Sequence, residues 1–157
     1  MHKDLNHLWL PYTQMKNIGR PYKAKRTEEC KIILENGKVL IDAISSWWTS
    51  CLGYNNLHLI KAVSKQLNTM PHVMFGGLIH NQAIELSKKI ISLMKNDLEK
   101  VFFVDSGSVS VEVALKMAVQ FWINKGYKKK KKFVHFRNGY HGDTSGTMSI
   151  CDPDEGM

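Results

Sequence analysis

The stretch Val101-Phe102-Phe103-Val104-Asp105-Ser106-Gly107-Ser108-Val109 passes from an apolar run through a small polar turn into a helical pattern. Val109, Val113, Met117, Ala118 and Phe121 recur at mostly three- and four-residue spacing, which predicts a helix over 108–125. Gly126 supplies its stop. A second apolar run follows, Phe133-Val134-His135-Phe136. Strand 100–104, long crossover helix, strand 133–136 is the order of a βαβ unit, so the sequence predicts an α/β fold with a mostly parallel sheet. Ligands of open α/β sheets gather at the carboxyl ends of the strands, where the turn at 105–107 lies. The free N–H groups and the dipole of a helix start attract an anion, and a glycine lets a phosphate approach the backbone. Ser106-Gly107-Ser108 therefore reads either as a phosphate turn or as a capped helix start with Ser108 as the N-cap.

Arg137-Asn138-Gly139-Tyr140-His141-Gly142-Asp143-Thr144-Ser145 follows the second apolar run. Two glycines around Tyr140 free the backbone, so its ring can lie over a flat ligand and its hydroxyl can reach a phosphate or a substrate. The alternative is a loop tyrosine packed on the core. Asp143 can orient a neighbouring group or close an Asx turn. His141 reads as structural. Turn and loop together point to a phosphorylated, planar cofactor.

Upstream, residues 1–28 read as an irregular arm broken by Pro11 and Pro21, with Trp9 and Tyr12 as aromatic contacts. Residues 31–43 read as a hairpin around Asn36-Gly37. Ser45-Ser46-Trp47-Trp48 carries two adjacent indoles. If that segment is extended, one can face a pocket and the other the core; otherwise both are core. Asn55 and Asn56 can cap a helix from about Leu57 to Met70, which Pro71 ends. Leu57, Ile60, Val63, Leu67 and Met70 should form its buried face. A second helix is expected over about 81–95. These segments group as an arm and hairpin, 1–44, and the start of a large domain, 45–157.

With 157 residues the chain can bury a core. Its formal charge is +8, yet five lysines form one run, Lys128 to Lys132, which reads as a solvated loop. No nucleic-acid motif with interleaved aromatics lies beside it, so no nucleic-acid partner is expected. The three cysteines, Cys30, Cys51 and Cys151, are scattered, which fits reduced thiols in the cytoplasm. The N-terminus has no apolar signal region and no apolar run is long enough to span a bilayer, so no membrane partner is expected. His58, His72, His80 and His141 make no metal constellation, and no metal is expected. A serine-hydrolase signature, a Walker loop and a dinucleotide fingerprint are all missing.

In order along the chain, several pieces resemble the N-terminal portion of class III pyridoxal-phosphate aminotransferases. They are His7-Leu8-Trp9-Leu10-Pro11-Tyr12-Thr13, Ser45-Ser46-Trp47-Trp48, His72-Val73-Met74-Phe75-Gly76-Gly77, Asp105-Ser106-Gly107-Ser108-Val109 and the loop from Phe136 to Thr144, with Cys151-Asp152-Pro153-Asp154 after it. The resemblance implies a fold-type I transferase whose cofactor is pyridoxal 5'-phosphate. It implies that Gly107 and Ser108 hold the cofactor phosphate. Tyr140 would lie by the cofactor ring and contact substrate, Trp47 would wall the substrate pocket, and Tyr12 would recognise substrate. Within the family the likeness leans to the biotin-synthesis branch, in which S-adenosylmethionine gives its amine to 8-amino-7-oxononanoate to make 7,8-diaminononanoate. It also implies a homodimer. The lysine that carries the cofactor matches no lysine here, so the resemblance places no catalytic residue within the chain; the remainder of the large domain and the small domain would also be absent. The 157-residue chain alone is then expected to be inactive and poorly stable. Two other readings stand beside this one: a class III ω-aminotransferase of the ornithine or 4-aminobutyrate type, and a non-catalytic remnant or half of a split enzyme.

Overall fold

The computed structural model describes residues 5–94 and 97–152. Backbone proximity divides the chain into two compact units, Met1–Leu78 and Ile79–Met157. Residues 45–78, grouped above with the large domain, lie in the first unit.

The first unit is built on a three-stranded antiparallel sheet in the order β1-β2-β3: β1 Ala24–Glu28, β2 Lys31–Leu34 and β3 Val39–Ile41. The hairpin β2–β3 forms where the sequence predicts it. Gly37 takes φ +84, which costs glycine little, and the Asn36 side chain accepts from the Lys38 N–H at 3.0 Å. Strand β1 corrects the expectation that residues 1–28 are irregular. Ala24-Lys25-Arg26-Thr27-Glu28 lacks the apolar alternation of a strand, but it pairs with the free edge of β2 in the register Thr27↔Ile32. Charged residues suit that position, because Lys and Arg on an edge discourage further strand addition. Leu34 is buried within this sheet.

After β3 the chain enters a tight coil. Ser45, Ser46, Trp47 and Trp48 have φ of +50, +48, +54 and +68. Four successive non-glycine residues are thus left-handed, each at a cost of about 1–2 kcal/mol. The indoles are neither in an extended segment nor in a core: Trp47 is 56% and Trp48 82% exposed. Hydrogen bonds hold the coil. The Trp48 N–H donates to the Ile44 carbonyl at 3.0 Å and the Ser50 N–H to the Ser45 carbonyl at 2.9 Å. Asp42 grips both ends, accepting from the Ile44 N–H at 3.2 Å and from the Tyr54 hydroxyl at 2.6 Å.

Helix α1, Leu57–Thr69, starts where predicted, with Asn56 Oδ1 accepting from the N–H groups of His58 and Leu59. Its apolar stripe is not buried, since Leu57, Ile60, Val63 and Leu67 are 46–70% exposed.

The second unit contains α2 (Asn81–Leu93), α3 (Gly107–Asn124) and the short α4 (Ser145–Met148). His80 caps α2 through its ring Nδ1, a role the sequence did not suggest. The predicted end of α2 at Lys95 lies outside the described residues. Helix α3 begins one residue earlier than the periodicity indicates. Its N-cap is Ser106, whose Oγ accepts from the Val109 N–H at 3.2 Å, and not Ser108. At the other end Gly126, at φ +86, donates to the Ile123 carbonyl.

The segments 101–104 and 133–136 carry no ladder among the described residues. A strand needs a partner for its alternate N–H and C=O groups. Neither segment pairs with the other or with any strand among those residues. Val134 and Phe136 are correspondingly open, at 102% and 85% exposure.

Candidate active site

In the second unit the two predicted motifs meet. Ser108 stands in the first turn of α3, with its hydroxyl freed from capping because Ser106 does that work. Ser108 Oγ accepts from the Asp143 N–H at 3.1 Å. The loop can come this close because residue 142 is glycine: a Cβ there would sit 2.7 Å from Ser108 Cα, and its φ of +122 disfavours any side chain. Asp143 in turn accepts from the Tyr140 hydroxyl at 2.8 Å. Asp143 thus orients a neighbour. Tyr140 is 51% exposed, so it is not a core tyrosine.

Behind this arrangement the loop is fastened at several points. The Asn138 N–H donates to Asp152 at 2.9 Å, and Asp152 is buried. The His141 N–H points to Cys151 Sγ at 3.4 Å, and Cys151 is buried with its sulfur 3.2 Å from the Thr147 carbonyl. These contacts give Cys151 and Asp152 of the last quoted motif a structural role; Pro153 and Asp154 lie outside the described residues. Glu112, one helical turn beyond Ser108 on α3, accepts from the Thr144 hydroxyl at 2.6 Å and the Gly146 N–H at 2.8 Å. The Thr144 hydrogen bond, helped by the Gly146 and Thr147 N–H groups, holds its carboxyl below the usual range. The sequence reading missed Glu112. Its signal was a serine and a glutamate four residues apart on a helix whose other positions are largely apolar.

The start of α3 suits a phosphate. By position, the N–H groups of Gly107 and Ser108 have no intrahelical acceptor. Nothing lies within 4 Å of where a Gly107 Cβ would be, so an anion has access to that backbone. Eighteen residues of helix stand behind the turn.

In the first unit Tyr12 and Trp47, chosen from sequence for substrate contact, are brought together edge to face. Their ring centroids are 5.6 Å apart and the planes lie at 76°. Tyr12 itself has φ +50. Left-handed backbone at Tyr12 and across 45–48 fixes how the two rings are presented, and such conformations cluster at functional sites.

The family model for aminotransferase class-III matches residues 13–157. The chain belongs to the class III aminotransferases. The adenosylmethionine-8-amino-7-oxononanoate aminotransferase of Buchnera aphidicola (from Acyrthosiphon pisum) is 47% identical to this class III chain over 150 residues, covering 96% of it. The enzyme of the same name from Saccharomyces cerevisiae is 42% identical over 160 residues, covering 98% of it. The chain spans 35% and 33% of these relatives' own lengths. The solved enzyme of that name from Methanocaldococcus jannaschii matches with a TM-score of 0.89 and 35% identity, over 94% of this chain and 34% of that one. An omega transaminase from Pseudomonas jessenii, solved in complex with PMP, matches with a TM-score of 0.87 and 35% identity, over 95% of this chain and 34% of that one. These solved neighbours are fold-type I transaminases, and the class III family uses pyridoxal phosphate. The α/β fold class expected from sequence therefore holds, although the parallel sheet is not paired among the described residues.

Proposed function

We propose that these residues form the cofactor-phosphate turn and part of the substrate wall of an aminotransferase that moves the amino group of S-adenosylmethionine to 8-amino-7-oxononanoate, giving 7,8-diaminononanoate for biotin synthesis. The observation that carries the reading is the meeting of Ser108, Asp143 and Tyr140 at the start of α3. Pyridoxal 5'-phosphate, when bound, supplies an electron sink for the carbanion left by proton loss from the amino donor. The N–H groups of Gly107 and Ser108 hold its phosphate against the positive end of α3. Asp143 accepts the Tyr140 hydroxyl proton and so fixes the phenol beside the ring. Tyr12 and Trp47, paired edge to face in the first unit, are the residues that recognise substrate. The working enzyme is a homodimer in the cytoplasm; the free thiols of Cys30, Cys51 and Cys151 are consistent with that compartment.

A second reading, a class III ω-aminotransferase using ornithine or 4-aminobutyrate, draws on the Pseudomonas jessenii neighbour, which is as similar in sequence as the Methanocaldococcus jannaschii enzyme. The names of the relatives and the Tyr12–Trp47 pair favour the first. The test compares amino donors for the native protein purified from its source, with 8-amino-7-oxononanoate as acceptor. Formation of 7,8-diaminononanoate with S-adenosylmethionine and not with ornithine or 4-aminobutyrate is the expected result. Transamination that ignores S-adenosylmethionine would put the second reading first.

A further inference from the structure

We infer that Glu112 is a positioning residue for the cofactor: it ties the Tyr140 loop to the helix whose first turn holds the phosphate. The inference rests on the cofactor reading above and deepens it. Ser108 and Glu112 stand one turn apart on α3, and each grips the segment 142–147. Ser108 takes the Asp143 N–H. Glu112 takes the Thr144 hydroxyl at 2.6 Å and the Gly146 N–H at 2.8 Å, both on Oε2. Its carboxylate thus serves α4, whose N-cap residue, Thr144, makes no side-chain cap of its own. The fit leaves no slack. A Cβ on Gly146 would lie 2.5 Å from Glu112 Oε2, and Thr147 is fully buried with its hydroxyl 2.9 Å from the Thr144 carbonyl.

Asp143 carries the Ser108 grip on its N–H, stands next to Thr144, which carries the Glu112 grip, and receives the Tyr140 hydroxyl on its carboxylate. The residue that receives the Tyr140 hydroxyl is therefore held to α3 directly by Ser108 and through its neighbour Thr144 by Glu112. Remove the Glu112 carboxylate and the loop loses its bonds from the Thr144 hydroxyl and the Gly146 N–H, while the Asp143 N–H to Ser108 remains. No hydrogen bond joins the Glu112 carboxylate to Gly107 or Ser108 among the described residues; it serves Thr144 and Gly146. A positioning role therefore makes a split prediction: binding of a phosphate with a ring should suffer, and binding of bare phosphate should not.

The experiment uses the native protein and its E112A, T144V and T144S forms, with pyridoxamine 5'-phosphate and inorganic phosphate as probes and amide hydrogen exchange as the cofactor-free readout. T144V removes one hydroxyl and is the mild variant should E112A fail to fold; T144S keeps that hydroxyl. In E112A and T144V, exchange should quicken at 143–147 and leave the β2–β3 hairpin unchanged. Pyridoxamine phosphate affinity should fall about tenfold in E112A and less in T144V, as expected for lost hydrogen bonds to a charged group, with T144S near wild type and inorganic phosphate affinity unchanged throughout. Equal loss of both ligands, or wild-type pyridoxamine phosphate affinity in E112A, would overturn the role. Failure of the wild-type protein to bind pyridoxamine phosphate would instead overturn the cofactor reading, and this inference with it.

Discussion

Serine 106 and serine 108 divide the labour that the sequence assigns to one of them. Spacing alone cannot say which hydroxyl caps a helix when two serines flank a glycine; the backbone at Ser106, φ −156 and ψ 166, decides it. Ser108 is thereby released to hold the loop, and S108A should weaken pyridoxamine phosphate binding about two- to tenfold, the value of one lost hydrogen bond, as read by calorimetric titration of the native protein. G142A should do more damage than S108A in the same titration, because its methyl group meets Ser108 and its backbone is left-handed as well. Asp42 offers a pH test. Chiefly the Tyr54 hydroxyl, and then the Ile44 and Ser46 N–H groups, hold its carboxyl below the usual range. A depressed folded pKa means that the stabilisation is present above the unfolded value and is lost as pH falls through the folded one. The left-handed coil at 45–48 should therefore survive mild acid and loosen only below the ordinary aspartate range, seen as a change in indole fluorescence that the D42N variant shows at neutral pH. Nothing in Ser45-Ser46-Trp47-Trp48 announces this coil, because left-handed backbone is normally signalled by glycine or asparagine and none occurs there.

Elements were legible wherever a local rule decides them. Asn36-Gly37 fixes the hairpin, Asn56 and Pro71 bracket α1, and Gly126 ends α3, each by a backbone conformation or capping bond that a few residues specify. Replacing Ser106 by alanine should cost α3 about 0.5–2 kcal/mol, visible as a lower denaturation midpoint. Elements were misread where the partner decides them. Strand β1 is a charged segment made into a strand by the edge of β2, so a periodicity search passes over it. The segments 101–104 and 133–136 depend on partners in the same way. Their composition is that of buried strands, yet a ladder exists only between two strands, and no partner stands beside either one among the described residues. The site follows the same division. Gly107, Ser108 and Tyr140 stand out in the sequence because turn chemistry singles them out. Glu112 does not, since its role depends on a loop that returns more than thirty residues later.

For the molecule as a whole, the accessible surface decides what to expect of the chain by itself. It is 14010 Å² for 18.0 kDa. Even two separate folded units of half that mass would together expose only about 10,000 Å². The apolar stripe of α1 and the rings of Trp9, Trp48 and Phe136 contribute to the excess. The isolated 157-residue chain should accordingly bind a hydrophobic dye such as ANS strongly and melt without a sharp calorimetric transition; a cooperative melt with no dye binding would show that these faces are covered in solution. The chain matches about a third of each relative's length, so the function argued here belongs to the native protein that carries these residues. Its central claim is that the start of α3 and the Tyr140 loop together hold a phosphorylated ring. The most direct test is the crystal structure of the native protein with pyridoxamine 5'-phosphate. The account predicts the phosphate on the N–H groups of Gly107 and Ser108 with the pyridine ring against Tyr140. A phosphate bound elsewhere, for instance among Lys128 to Lys132, with the α3 turn touching nothing, would contradict it.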